Sequence, residues 1–336
     1  MKPVELRGHD RQITVCKYNY DGDLCFSGGA DKRVTLYDAF TYEKLGEYRT
    51  WASVKSLEID IDSKYLFVGN YNGMLELFEV QTGKLLGRLE RDWKIKFVEI
   101  PVGNKELIVV YEDMIEKVSD IAIFDLKSII NEITQSGTKT NLKFQDAKII
   151  KEFSLPEQVS RMSYGYLNKY FIGTTQNGKI QKLNLDGKVE IEEQAHPTEC
   201  KGFSFAVDYS LVATCGSDGV SVYDPQTLKQ IKKFKTQVPM NTVTISPLVA
   251  DRQNPRFHLL MAGGIPAREA AMSKKGGFEI HLCNIMYEKE LGTISGSFSP
   301  INSIVFSPDG RGFMCGAEEG VSKIIKFDQK YFDQFK

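Results

Sequence analysis

The fold is decided by residues 8–38, whose sequence is GHDRQITVCKYNYDGDLCFSGGADKRVTLYD. A Gly-His pair precedes three short stretches rich in apolar and β-branched residues, which cover 13–18, 24–27 and 34–38. The turns between them contain Asp21-Gly22 and Gly28-Gly29, and glycine and aspartate favour tight turns. Short apolar runs bounded by such turns predict three consecutive antiparallel strands.

The same pattern recurs along the chain. A second clear copy begins at Ala195-His196 and ends at Tyr223-Asp224, and a third runs from Pro300 to Asp328. Four weaker copies cover 54–80, 95–125, 159–185 and 240–284. A unit with Gly-His near its start and an aromatic-Asp pair near its end is typical of the WD40 repeat, which forms one propeller blade. Seven units of ~42 residues account for most of the 336 residues.

These repeats predict an all-β fold, a single seven-bladed WD40 β-propeller over residues 1–336. The seventh copy lacks a fourth strand, and residues 3–6 have the length to supply it. Such an N-terminal strand would close the ring and remove exposed sheet edges. The predicted blades cover about 8–49, 50–90, 91–153, 154–194, 195–235, 236–295 and 296–328 plus 3–6, with a tail at 329–336.

Two loop insertions are expected, because the chain is longer than seven repeats require. Residues 127–148 form a polar insertion in the third copy, and residues 126–133, at its start, have the pattern of a helical turn. Residues 263–277 form a second insertion in the sixth copy. Strands of the same blade resume after each, so neither insertion is predicted to be a domain linker.

Composition limits the classes of function. Lysine and arginine total 43 against 44 aspartates and glutamates, a formal net charge of -1. This balance argues against direct nucleic-acid binding, which depends on clustered positive charge. No apolar run approaches the ~20 residues that span a bilayer, and the first residues lack the apolar core of a secretory signal. We therefore expect a soluble, cytoplasmic protein with no membrane contact.

Cofactor and metal sites are not predicted. The 6 cysteines never occur as C-x-x-C, so we expect reduced, buried thiols and no zinc site. The sequence has no G-x-x-x-x-G-K-[ST] phosphate loop. We expect no cofactor and no small-molecule substrate.

The polar residues of the repeats have two interpretations. They are His9, Ser27 and Asp31 in the first copy, and His196, Thr214 and Asp218 in the fifth. These residue types also make hydrolase triads, but a catalytic serine needs an exposed elbow and the sequence has no G-x-S-x-G. We favour a structural network within each blade, completed by Tyr37 in the first copy and Tyr223 in the fifth, and we predict no enzyme activity.

Three aromatic residues lie close together after the last repeat strand. They are Tyr331, Phe332 and Phe335. A chain end frays unless something anchors it. The rings would therefore pack on the last blade, dock a partner protein, or do both, since aromatic side chains are favoured anchors at interfaces.

Several motifs resemble the subunit i family of eukaryotic translation initiation factor 3. They are Leu6-x-Gly8-His9-x-Arg11, Pro239-x-Asn241, Ser246-Pro247, Glu290-x-Gly292, Ser307-Pro308-x-Gly310 and Tyr331-Phe332. The likeness spans the chain and is strongest at its two ends. The chain departs from the family where Trp-Asp pairs are replaced, by Tyr37-Asp38 and Phe78-Glu79.

The resemblance implies a scaffold subunit that binds subunits b and g and is attached to the small ribosomal subunit as part of the complex. By the same resemblance, the surface for a partner would include Tyr223, Asp224, Lys235 and Gln237. The alternative is another cytoplasmic WD40 adaptor, such as a signalling or vesicle-coat scaffold.

Overall fold

The strands form seven sheets arranged in a ring. The computed structural model describes residues 3–135, 142–143, 148–265, 277–295 and 297–333. Each sheet is one blade, in which the first strand lines the centre of the ring and the fourth lies at the outside. The predicted seven-bladed WD40 β-propeller is therefore confirmed.

The blades are numbered in chain order. Blade 1 contains β2 (Ile13–Tyr18), β3 (Leu24–Gly29), β4 (Arg33–Asp38) and β5 (Lys44–Arg49). Blade 2 contains β6 (Val54–Ile59), β7 (Tyr65–Asn70), β8 (Met74–Glu79) and β9 (Leu85–Glu90). Blade 3 contains β10 (Lys94–Glu99), β11 (Glu106–Glu112), β12 (Ser119–Asp125) and β14 (Ile149–Leu155). Blade 4 contains β15 (Val159–Tyr164), β16 (Phe171–Thr175), β17 (Lys179–Leu183) and β18 (Val189–Gln194).

The remaining blades complete the ring. Blade 5 contains β19 (Gly202–Phe205), β20 (Val212–Gly216), β21 (Gly219–Tyr223) and β22 (Gln230–Lys235). Blade 6 contains β23 (Met240–Ile245), β24 (His258–Gly263), β25 (Ile280–Asn284) and β26 (Lys289–Ile294). Blade 7 contains β27 (Ile301–Phe306), β28 (Gly312–Ala317), β29 (Val321–Lys326) and β1 (Pro3–Arg7). Short 3-10 helices cover Tyr166–Asn168 and Pro247–Ala250.

Burial patterns explain why these segments form strands at these depths. The second strand of blade 3, β11, has the sequence ELIVVYE and is buried from Leu107 onward. A continuous apolar run of this kind fits a strand covered on both faces. The outer strand β14 has the sequence IIKEFSL and alternates between partly buried and exposed residues. Its alternation fits a strand with one face toward solvent.

The hydrophobic core is divided among the seven gaps between neighbouring blades. The cluster between blades 2 and 3, for example, joins Phe67 and Leu77 of one blade to Ile95 and Val109 of the next. Truncating a buried phenylalanine such as Phe67 to alanine costs about 3–5 kcal/mol. Because each cluster takes side chains from two sheets, no blade buries its apolar surface alone.

The ring closes through the N-terminal strand, as predicted. β1 pairs antiparallel with β29, in a register that runs from Pro3 opposite Ile325 to Arg7 opposite Val321. Leu6 is buried between blades 7 and 1. Blade 7 is thus built from two segments, Pro3–Arg7 and Ile301–Lys326, that lie at opposite ends of the sequence.

The insertion in blade 3 covers part of blade 2. The predicted helical turn is a longer helix, α1 (Leu126–Gln135), whose Leu126 and Ile129 join the core between blades 2 and 3. After it, β13 (Leu142–Lys143) pairs in parallel with β9, the outer strand of blade 2. The central part of the blade 6 insertion, 266–276, lies outside the described residues. A short helix, α2 (Gln329–Asp333), follows blade 7.

The loops lie on two faces of the ring. One face, called the His9 face, carries the connections between blades and the turns between the second and third strands of each blade. The opposite face carries the turns between the first and second strands and between the third and fourth strands. The two faces present different side chains, and the site residues below are placed by face.

Candidate functional site

The polar residues of the first repeat form one hydrogen-bonded set. His9 lies in the loop before β2, Ser27 in β3, and Asp31 in the turn after β3. His9 Nδ1 donates to Asp31 Oδ1 over 3.0 Å, and Ser27 Oγ donates to His9 Nε2 over 2.8 Å. Burial raises the pKa of Asp31, but hydrogen bonds from His9 and the Asp10 amide lower it more, so it lies below its ordinary value.

The fifth repeat forms an equivalent set. Asp218 Oδ1 accepts from His196 Nδ1, and Thr214 Oγ1 donates to His196 Nε2 over 2.9 Å. Lys233 Nζ lies 2.7 Å from the other oxygen of Asp218. Burial lowers the pKa of His196, and the bond to Asp218 opposes that effect only in part. A neutral ring is therefore favoured, with its proton on Nδ1 facing the carboxylate.

Neither set can act as a hydrolase triad, although the residue types match. The side chains of His9 and His196 are 0% exposed, and Ser27 and Thr214 are buried as well. A nucleophile must reach the reacting atom of its substrate. The hydrogen bonds instead tie the loop between two blades to the turn within one blade.

Tyr37 and Tyr223 lie beside the two polar sets. Both are buried, yet among the residues that the structure describes, neither hydroxyl has a hydrogen-bond partner. The Tyr37 ring extends under the loop, where a Cβ added to Gly8 would stand 2.1 Å from its hydroxyl. The tyrosines therefore support the loops by packing, and their part in the polar network stays a prediction.

Blade 2 replaces the histidine set with a buried carboxylate. Glu76 in β8 is 0% exposed and accepts from Arg88 Nε over 2.7 Å. It also accepts from Asn70 Nδ2 over 3.1 Å and from the Trp51 amide over 3.0 Å. A buried charge persists only when it is paired and hydrogen-bonded. Glu76 thus ties the loop between blades 1 and 2 to blade 2, as the histidine sets do in blades 1 and 5, but with different residue types.

Blade 3 uses a second carboxylate and arginine. Asp120 in β12 accepts from Arg91 Nη2 over 2.6 Å and from the Ser154 hydroxyl. Arg91 also lies over the Tyr111 ring, 4.8 Å from its centroid. Sequence reasoning missed both arginine pairs. Their only signal is a carboxylate, Glu76 or Asp120, placed before the apolar end of the strand, in MLELFE for β8 and SDIAIFD for β12.

The residues predicted to bind a partner on blade 5 do not form one surface. Tyr223 is 2% exposed, so its side chain is part of the core. Asp224 accepts from the Gln226 amide over 3.0 Å and thereby holds the turn after β21. Because β21 and β22 are antiparallel, with Gly219 opposite Lys235, Lys235 lies at the other end of the blade.

The four residues therefore lie at two ends of the blade, and their role in binding a partner stays a prediction. Lys235 and Gln237 are exposed on the His9 face, at the end of β22 and in the loop after it. Asp224 lies on the opposite face, about one strand length away. Of the four residues, only Lys235 and Gln237 can contact the same bound segment without crossing the rim.

The aromatic residues after blade 7 are anchored to the propeller. Tyr331 is buried and stacks on Phe327, with ring centroids 4.3 Å apart. Its hydroxyl donates to His258 Nδ1 over 2.6 Å. Arg256 donates to the Tyr331 and Phe332 carbonyl oxygens over 3.0 and 2.7 Å. These contacts support the packing interpretation for Tyr331. Phe332 is only partly buried. Phe335 lies outside the described residues.

Charged side chains meet in the central channel. Lys17 pairs with Glu58, and Ser163 Oγ donates to Glu99, in a cavity of about 320 Å³ that Arg161 also lines. Burial, together with the charge of Glu58, raises the pKa of Glu99 to about 7, although the Ser163 bond opposes the rise. In the described part of the chain, no group of three or more His, Cys, Asp or Glu side chains is placed to hold a metal ion.

All six cysteines are free and buried, as expected for reduced thiols. Burial raises the pKa of the Cys215 thiol to about 12, so the reactive thiolate is disfavoured. Within the described ranges, no helix has the length and apolar character needed to cross a lipid bilayer.

Comparisons with known proteins agree with this architecture. A family model for the WD domain, G-beta repeat, matches residues 2–38 and 288–326. These two stretches include β1 and β29, the pair of strands that closes the ring. The chain is also similar over its length to proteins named eukaryotic translation initiation factor 3 subunit I. It is a WD40-repeat relative of these subunits.

Three of these similar proteins show how far the sequence similarity extends. The protein from Danio rerio is 28% identical over 338 residues, which cover 99% of this chain and 98% of the relative. The protein from Dictyostelium discoideum is 28% identical over 340 residues, covering 99% and 96%. The protein from Homo sapiens is 26% identical over 338 residues, covering 99% and 98%. The family resemblance predicted from the sequence is confirmed.

Proposed function

We propose that this chain is a non-catalytic scaffold subunit of the eukaryotic translation initiation factor 3 complex. It binds partner subunits on its propeller surfaces and supports assembly of the complex on the small ribosomal subunit. The observation that carries the proposal is the similarity to proteins named initiation factor 3 subunit I along 99% of the chain. The proposed location is the cytoplasm, where initiation takes place.

The geometry supports a binding role over a catalytic one. The His-Asp-Ser and His-Asp-Thr sets have the residues of an acyl-transfer site, but their side chains are buried and serve the blades. Interblade packing gives a rigid ring with separate outward surfaces. Such a ring presents fixed docking positions at little entropic cost on binding.

The proposed partners are subunits b and g of the same complex. For one of them, the proposed contact is the end of blade 5 on the His9 face, where Lys235 and Gln237 are exposed. Among the described residues, Lys235 has no carboxylate oxygen within 4.0 Å, so its charge is available to a partner. No direct contact with nucleic acid is proposed.

Affinity purification of the tagged full-length chain from its own cells, followed by mass spectrometry of the intact complexes, tests the proposal. Stoichiometric recovery of initiation factor 3 subunits, b and g among them, is the expected result. Recovery of signalling or vesicle-coat proteins instead would favour the adaptor alternative and overturn the assignment.

A matched pair of variants tests the blade 5 contact. Lys235→Glu should lower recovery of one partner subunit, because it reverses the charge at the proposed contact. Lys229→Glu is the control, since Lys229 is an exposed lysine near the opposite end of the same strand. Equal partner recovery with both variants would exclude this end of blade 5 as the contact.

A further inference from the structure

A second charged surface lies on the His9 face where blades 2, 3 and 4 meet. A cavity of about 280 Å³ opens there, lined by the four lysines Lys55, Lys94, Lys96 and Lys117. They come from the start of β6, the start of β10 and the turn after β11. We propose that this cavity, the lysine pocket, binds an acidic peptide segment of a partner protein.

Most of the positive charge in the lysine pocket is uncompensated. Among the described residues, Lys55, Lys94 and Lys117 have no carboxylate oxygen within 4.0 Å. Lys96 pairs with Glu199 at 3.2 Å. Of the residues lining the cavity, only Glu112 carries a carboxylate. The pocket therefore concentrates positive charge in a chain whose formal net charge is -1.

The one carboxylate of the pocket already has a hydrogen-bond partner within the propeller. Glu112 is buried and accepts a hydrogen bond from Gln176. Packing four ammonium groups around one cavity is unfavourable, and burial together with the charge of Lys96 lowers the pKa of Lys55. A ligand that brings carboxylates would relieve this repulsion.

The position of Tyr71 favours an acidic peptide over a nucleic acid. Lys94 Nζ lies 4.1 Å from the centre of the Tyr71 ring and donates to its hydroxyl over 2.6 Å. Lys55 Nζ lies 5.2 Å from the same ring centre. The ring is 45% exposed, but both lysines lie over it, so a base that stacked there as in single-stranded nucleic-acid binding would have to displace them. The adjoining mouth of the central channel carries charges of both signs, with Glu199 and Glu318 beside Arg161 and Lys201.

An apolar edge beside the lysines indicates which residues accompany the acidic ones in the bound peptide. Met114 and Ile115 project from the turn after β11, and Ile115 is 91% exposed. Asp113 Oδ1 accepts from the Ile115 amide over 2.7 Å, which holds the shape of the turn. The segment that fits carries glutamate or aspartate next to a leucine or phenylalanine. This inference does not rest on membership of the initiation complex.

Fluorescence anisotropy with the full-length chain tests the inference. The probe is a short fluorescein-labelled peptide that alternates glutamate pairs with leucine, and its glutamine counterpart is the uncharged control. A labelled single-stranded oligouridylate RNA is the third ligand. We expect binding of the acidic peptide, loss of that binding with added salt, and weaker binding of both other ligands.

Charge reversal identifies the surface. The double variant K55E/K117E should weaken acidic-peptide binding about tenfold or more, since both are exposed pocket lysines. K169E/K188E is the matched control, because both lysines are exposed on the opposite face and carry the same change in charge. Thermal unfolding of each variant confirms that the fold is kept.

Three results would overturn the inference. They are no binding of the acidic peptide, equal weakening by K55E/K117E and K169E/K188E, and oligouridylate that binds more tightly than the peptide and is lost with K55E/K117E. The last result would assign the pocket to a nucleic acid.

Discussion

Gly316 of blade 7 lies against Ile13 of blade 1, so closely that a Cβ added to the glycine would stand 2.4 Å from Ile13 Cγ2 and 2.7 Å from Cys16 Sγ. Gly316→Ala should therefore lower the free energy of unfolding by about 1–3 kcal/mol, because the blades must move apart. Gly46→Ala is the control, since nothing lies within 4 Å of its added Cβ. Chemical denaturation measures both, and equal stability of the two variants would contradict the packing described.

Leu6 tests closure of the ring. It is buried between blades 7 and 1, and Leu6→Ala should cost about 2–5 kcal/mol. Arg7→Ala changes the next residue of the same strand, whose side chain is 80% exposed, and should change stability by less than about 0.5 kcal/mol. Similar unfolding midpoints for the two variants would mean that β1 contributes little to closure.

Arg88 and Glu76 test the substituted network of blade 2. Arg88→Met leaves the Glu76 carboxylate buried without its cationic partner, which should cost about 3–5 kcal/mol. The double variant Glu76→Gln with Arg88→Met removes both charges and should recover much of that loss. Urea unfolding of the wild type, the single variant and the double variant gives the comparison. A double variant no more stable than Arg88→Met would argue against charge burial as the cause.

His258 is expected to make stability depend on pH. Burial, followed by the charge of Arg256, lowers its pKa from the ordinary 6.5 to about 4. Below pH 6.5 the unfolded state binds a proton at His258, whereas the folded state does not. The stability that comes from keeping His258 neutral is therefore complete above pH 6.5 and is lost between 6.5 and about 4. The full loss is on the order of 3 kcal/mol.

The variant His258→Asn isolates this contribution. Asparagine keeps an acceptor for the Tyr331 hydroxyl but does not titrate, so the variant should lose less stability than the wild type as pH falls through this window. Thermal unfolding at a series of pH values measures the difference, in which the other titrating groups cancel. Parallel curves for the two proteins would show that His258 is not the residue responsible.

Arg256 tests the anchoring of α2. Arg256→Ala removes two hydrogen bonds to the Tyr331 and Phe332 carbonyl oxygens, each worth about 1.5–3 kcal/mol for a charged donor. Amide hydrogen exchange over residues 327–333 should become faster while the blades remain protected. Arg252→Ala is the control, because Arg252 is exposed in the same loop. Unchanged exchange in Arg256→Ala would mean that the aromatic packing holds α2 without the arginine.

The fold was predictable because its signals repeat. The acidic turn and the aromatic-Asp end recur in blades 1, 5 and 7, and a Gly-His or Ala-His start precedes them in blades 1 and 5, so the same four-stranded unit is marked each time. The residues 3–6 could be assigned to blade 7 because that blade alone lacked an outer strand. The pairing of β13 with β9 was not predictable, since two residues carry no periodicity and their partner lies in another blade.

The site was less predictable, for physical reasons. The family resemblance placed Tyr223, Asp224, Lys235 and Gln237 on one surface. In an antiparallel hairpin, however, residues near its turn and residues near its open end lie on opposite faces. Similarly, in blade 2 Glu76 and Arg88 take the place that the histidine set has in blade 1. A search for the repeated His, Ser or Thr, and Asp residues does not find them.

Closure through β1 and β29 also constrains how the protein is made. β1 leaves the ribosome before any other described strand, and its partner β29 emerges after nearly all of them. The interface between blades 7 and 1 therefore forms only once almost the whole chain is synthesised. A polypeptide terminated early lacks this final pairing, so we expect its unpaired apolar surface to stay accessible to chaperones and proteases.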